Sequence, residues 1–142
     1  MKRLVPVILG LAFFLGCSKL STDFQKSGRS AFIMIQQAED GAPVLRADLS
    51  RAFIEMKYAA KTANDKRAME ILTFYRDEYL SLDDTPASKK ALSDCRTAAE
   101  EIFIHGADPD EAGKPCDNSI IARGDAIIKQ MNEEDRKQHA SQ

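Results

Sequence analysis

Few residues in this 142-residue chain could do covalent or ligand chemistry: three cysteines (Cys17, Cys95, Cys116), two histidines (His105, His139) and the acidic stretch Asp108-Pro109-Asp110-Glu111-Ala112-Gly113. A catalytic thiol needs an adjacent base and an electropositive setting. His105, the histidine outside the C-terminal tail, lies nearly three helical turns beyond Cys95, which does not join the two into a nucleophile and base. Cys95, His105 and Cys116 also lack the close ligand pairs of a zinc finger and offer three ligands where a structural site uses four. The acidic stretch places Asp108, Asp110 and Gly113 at positions 1, 3 and 6 of a calcium loop. Ala112 and Ser119 fall at positions 5 and 12, so the bidentate acid is missing. It reads as a solvated acidic turn. No Cys-x-x-Cys-His run attaches haem, and Met34 with His105 would be the non-covalent pair. Adjacent acids such as Glu100-Glu101 and Glu133-Glu134 point about 100° apart on a helix and read as solvated surface. The expectation is no catalytic residue, no metal ligand and no cofactor.

Cys17 differs because of what precedes it. Lys2-Arg3 opens the chain, and residues 4–16 (LVPVILGLAFFLG) form a 13-residue apolar run without charge that stops at the cysteine. That is the layout of a secretory signal. A membrane-spanning helix needs roughly 20 apolar residues, and this run is shorter and contains Pro6.

The sequence Phe14-Leu15-Gly16-Cys17 resembles the lipobox of bacterial lipoproteins, a small residue directly before a cysteine, with Phe14 and Leu15 at places more often held by Leu and by Ser or Ala. The resemblance covers residues 1–17. It implies that Cys17 receives a thioether-linked diacylglycerol, is cut from Gly16 and is then N-acylated. Three acyl chains, at about 0.8 kcal/mol per buried methylene, hold a protein on a bilayer far more firmly than one. Ser18, in place of an Asp, implies by the same resemblance the outer membrane, on its periplasmic side. Residues 17–22 are then a short tether, of which Ser18 to Thr22 reach at most roughly 18 Å. Residues 23–142 form the domain proper and resemble no family.

A periplasmic address oxidises thiols, and with Cys17 acylated an even pair remains, Cys95 and Cys116. Their bridge would close roughly 22 residues and contribute about 3 kcal/mol on the chain-entropy model. The competing reading is that Cys95 is a small apolar core residue. The formal net charge of −2 becomes about −4 once Lys2 and Arg3 leave with the leader, 18 basic residues then standing against 22 acids. Basic residues are dispersed among the acids, which argues against nucleic acid and against a polybasic membrane-binding face.

The elements that must position these residues read as helices almost throughout. With 44% hydrophobic and 30% charged residues the composition fits one globular domain. A first helix over 22–40 has Phe24, Ala31, Ile35 and Ala38 on one side, and Gly41 and Pro43 stop the chain and restart it. A second over 43–63 carries Leu45, Leu49, Ala52, Phe53, Met56, Ala60 and Ala63 as one stripe. A third over 65–83 repeats the device with Ala68, Ile71, Leu72, Tyr75, Tyr79 and Leu82, capped by Asn64 or Asp65. One bent helix over both is the alternative to a break at 62–65. Thr85-Pro86 is a cap followed by proline at the first helical position and opens a fourth helix ended by Gly106. Residues 107–116 are dense in breakers and read as a loop. A fifth helix starts at Asp117 or Asn118 and aligns Ile120, Gly124, Ile127, Ile128 and Met131 before NEEDRKQHASQ frays; Gly124 there suggests a close helix approach. The fold class is an all-α antiparallel bundle of four or five helices.

One face is left over. Ile54 and Tyr58, with Ala47, project opposite the Leu49 and Met56 stripe of the second helix. Either a further helix encloses that side, as a five-helix arrangement favours, or it is an exposed patch that meets a protein partner. Met69 and Leu80 raise the same question on the third helix. The function expected is a membrane-tethered periplasmic lipoprotein, a non-enzymatic protein-binding or accessory module of the cell envelope. The alternative is a ligand- or metal-binding module using the bundle interior or the acidic loop 107–116.

Overall fold

The computed structural model describes residues 19–81 and 83–142; Cys17, the expected leader of residues 1–16, and Leu82 lie outside the described residues. Five helices and no strand occupy the described residues: α1 (Thr22–Glu39), α2 (Arg46–Ala59), α3 (Ala63–Leu80), α4 (Pro86–Phe103) and α5 (Pro109–Ala140). The all-α bundle is therefore the architecture.

Most boundaries follow from local chemistry. α1 closes on Gly41, at φ 88°, with the N–H of Ala42 reaching the Gln37 carbonyl at 2.9 Å and that of Gly41 the Ala38 carbonyl at 3.1 Å. These are the paired bonds of a left-handed C-terminal cap. α2 starts at Arg46, not at Pro43, so the proline lies within the connection and does not open the helix. The break between α2 and α3 is real: Ala60 is extended, and Thr62 Oγ1 accepts from the Asp65 N–H at 3.0 Å while Asp65 Oδ2 accepts from the Thr62 N–H at 3.1 Å. Thr62 is the cap, and Asp65 is the reciprocal acid three residues on, not the cap itself. Thr85 Oγ1 accepts from the Ser88 N–H at 3.2 Å and Pro86 takes the first helical position, as expected.

The largest departure is at 107–116. Only Ala107 and Asp108 of this stretch lie in the connection; from Pro109 onward it is helical, and α5 runs unbroken to Ala140 where a frayed tail was expected. Each apparent breaker has a place: Pro109 at the helix start, Asp110 and Glu111 in the first turn where acids complement the helix dipole, and Pro115 inside the helix.

Successive helices run antiparallel, so α1, α3 and α5 point one way. Phe24 at the start of α1 meets Phe103 at the end of α4 (ring centroids 6.0 Å), whereas Phe32 of α1 stands beside Tyr75 of α3 at the matching level (5.8 Å). α3 is central, packed on α1, α4 and α5, while α2 rests chiefly on α1. Phe24, Phe32, Ile35, Met56, Ile71, Leu72, Tyr75 and Ile102 are fully enclosed. The aromatic end of the core is tight enough to require a glycine, because a Cβ on Gly28 would run into the Phe103 ring.

Candidate functional site

Cys95 on α4 and Cys116 on α5 form a disulfide, with both residues fully buried. It ties down the part of α5 that its own sequence supports least. Pro115 has no N–H to give the Glu111 carbonyl, and Gly113 weakens helix propensity. Gly113 is nonetheless required where it sits, since a Cβ there would stand 2.7 Å from Ile71 Cδ1 on α3. Beside the bridge, Asp94 accepts from Ser119 and from Lys90 Nζ, the latter at 2.7 Å, and these two donors hold its carboxyl below the usual range.

The acids expected in a loop are engaged with cations on the helix surface. Asp110 lies 3.5 Å from the Arg67 guanidinium, which also bonds Asp117 and Glu70, and Glu111 pairs with Lys114 at 2.9 Å. No group of three or more His, Cys, Asp or Glu residues is placed to hold a metal among the described residues. His105 is exposed and Cys95 lies enclosed in its bridge, so the pair does not converge.

Three buried polar clusters join distant parts of the chain. Asp65, fully buried, accepts from the Ser21 N–H at 2.8 Å and its hydroxyl at 2.5 Å, and from the Lys61 N–H at 2.9 Å. Burial alone would raise its pKa, but these donors together bring it below the ordinary carboxylate value. The segment just after Cys17 is thereby clamped: Ser21 is fastened to the start of α3 and Leu20 packs against the core, so the expected tether of residues 17–22 is docked at its end. Glu39 accepts from the Tyr75 hydroxyl at 2.8 Å and from Arg96 at 3.1 Å, and burial together with that carboxylate pushes the Tyr75 pKa up. Glu78 of α3 pairs with Arg123 of α5 at 2.7 Å; its burial raises its pKa, with Arg123 opposing. Sequence reasoning missed all three, for no local signal links Glu78 to a cation 45 positions away.

The surface side of α2 is open. Tyr58 is 84% exposed and Ile54 55%, and Ala47 is exposed on the same face. The enclosure expected from a fifth helix fails because α5 packs on α3 and α4, not on α2. Between this face and α1 runs a shallow groove bordered by Lys26, Ser27 and Ser30. On its other side α2 forms a groove of about 470 Å³ with α3, lined by Leu49, Phe53 and Leu80 and flanked by Arg46 and Arg76, the latter 4.3 Å above the Phe53 ring. Met69, by contrast, packs against the core.

No protein-family model, curated protein or solved structure matches this chain. Among the described residues no helix is long and apolar enough to cross a membrane.

Proposed function

We propose that this chain is a lipid-anchored protein of the bacterial outer membrane, held on the periplasmic side by acyl chains on Cys17, and that its domain is a non-enzymatic accessory module which binds a protein partner through α2. The observation that carries the partner reading is the open face of Ile54 and Tyr58, an aromatic with an aliphatic neighbour one turn away, of the kind that anchors interfaces. The leader and Gly16-Cys17 support the address. The Cys95–Cys116 bridge suits an oxidising compartment. Clamping of Ser21 by Asp65 would hold the domain within a few residues of its anchor in a defined orientation.

The address is tested by growing cells with a clickable fatty acid. Label on the native protein, lost in Cys17→Ser, is the expected result, and an unlabelled, freely soluble product overturns it. For the partner, a photo-crosslinking amino acid at position 58 should trap one discrete partner in intact cells. Ile54→Ser should weaken capture of that same partner by about tenfold or more, as for an anchor worth about 2 kcal/mol. Capture unchanged by the substitution removes α2 as the docking face.

A second reading, a ligand-binding module, rests on the α2–α3 groove, whose apolar floor and Arg46, beside the Arg76–Asp77 ion pair, fit an anionic amphiphile. Quenching of a fluorescent fatty acid that is lost in Arg46→Ala/Arg76→Ala would favour it; no binding by the native chain disposes of it.

A further inference from the structure

α5 has 32 residues against 18 in α4, about 48 Å against 27 Å, so it outruns the bundle it packs on. The docked side of its first half carries Gly113, Cys116, Ser119 and Arg123. Roughly 100° around the helix runs a second stripe, Ile121, Gly124, Ile128 and Met131, at successive spacings of three, four and three residues. Ile121 is 63% exposed, Ile128 58% and Met131 62%, and a Cβ on Gly124 would meet nothing within 4 Å. This is a coiled-coil seam without a partner helix in its own chain.

We infer that the seam pairs with the same seam of a second copy, antiparallel, about a two-fold axis at residue 126. In that register Ile121 of each copy faces Met131 of the other, and Ile128 fills the gap left by Gly124 of the other, so every apolar side chain of the stripe is seated and the one vacancy is filled. A parallel pairing would set Gly124 against Gly124 and leave a void, which costs dispersion contacts on both sides. The flanks agree with the antiparallel arrangement. On one, Ile127 meets Ile127 of the second copy. On the other, Asp125 and Lys129, neither in an ion pair within its own chain among the described residues, come together as two acids and two bases, with no net charge. At the ends Asp135 falls beside Asp117 of the second copy, where the nearby cation is Arg67, shared by Asp117, Asp110 and Glu70. The inference does not depend on which partner occupies α2.

Full-length protein in its native membranes provides the test. Ile121→Cys and Met131→Cys, made singly and co-expressed, should form a crosslinked dimer on oxidation, with the 121–131 linkage identified by mass in tryptic peptides. Each variant alone should crosslink no better than a control cysteine at Ala126 on the far side, because like positions stand about 15 Å apart along the antiparallel helices. Adding Gly124→Phe should abolish the 121–131 linkage while the purified variant keeps the helical circular dichroism of the native chain. Preferential 121–121 linkage, or mixed-pair linkage no stronger than the control, overturns the proposal.

Discussion

The first sixteen residues of α5, 109–124, and its last sixteen, 125–140, are one continuous helix with opposite relations to the rest of the molecule. The first half contains two prolines and two glycines, of which Pro115, Gly113 and Gly124 are poor for a helix interior, and is held by a buried disulfide, a close approach at Gly113 and the Glu78–Arg123 pair. The second half has no proline or glycine, is rich in Lys, Glu, Gln and Arg, and is exposed along its whole length. One is helical because tertiary contacts overrule its propensities. The other is helical on propensity and side-chain neighbours such as Gln130 with Glu134 at 3.0 Å.

The contrast is broken most severely at the border. Arg123→Ala leaves Glu78 buried without its cation and should cost about 3 kcal/mol, read from urea unfolding near neutral pH. The pH dependence gives the cause. With its pKa raised in the folded state, Glu78 keeps more protons folded than unfolded, so the variant should lose stability as pH rises from the unfolded value near 4.3. It should recover towards the native protein below that. A loss independent of pH would assign the effect to packing alone.

Next in size is the bridge. Cys95→Ala/Cys116→Ala should lose about 3 kcal/mol, and hydrogen exchange should show protection falling in residues 109–124 to the level of 125–140. If both halves keep their separate exchange rates, the disulfide is not what distinguishes them. The smallest and most discriminating pair compares glycines in the two surroundings. Gly113→Leu should destabilise by about 2 kcal/mol through overpacking on Ile71, whereas Gly124→Ala, which meets no neighbour, should stabilise the protomer by up to about 1 kcal/mol through helix propensity. Equal effects of the same sign would mean that the two sites are alike after all.

How much could be read from the residues alone varies along the chain in the same way. The stop at Gly41 and the start at Thr85-Pro86 are legible because a left-handed glycine, a capping hydroxyl and an N1 proline act within four residues of themselves. So was the stripe of Ala68, Ile71, Leu72 and Tyr75, a period-3.6 pattern that is buried on a helix flanked by α1, α4 and α5. The stretch 107–116 was not: Pro109, Gly113 and Pro115 are breakers in isolation, and only Ile71 and Cys95, distant in the chain, make a helix of them. The error over Ile127, Ile128 and Met131 runs the other way. Their spacing is that of a core stripe, yet the bundle ends near Gly124, which leaves Ile128 and Met131 58% and 62% exposed and Ile127 38%. Gly124, expected at a close helix contact, faces open space for the same reason.

The sequence by itself determined the all-α class and several helix ends, since periodicity and caps are local properties, but it left four helices or five, and a bridge or a small core residue at Cys95, as alternatives. Only the tertiary structure decided which stripes are covered: that α5 lies on α3 and α4, that α2 keeps Tyr58 in solvent, and that Asp65, Glu39 and Glu78 are buried with partners from other helices. A periodic apolar face states that a helix has something to bury. What buries it depends on helix length and on which neighbours the loops bring alongside, and those are properties of the whole chain.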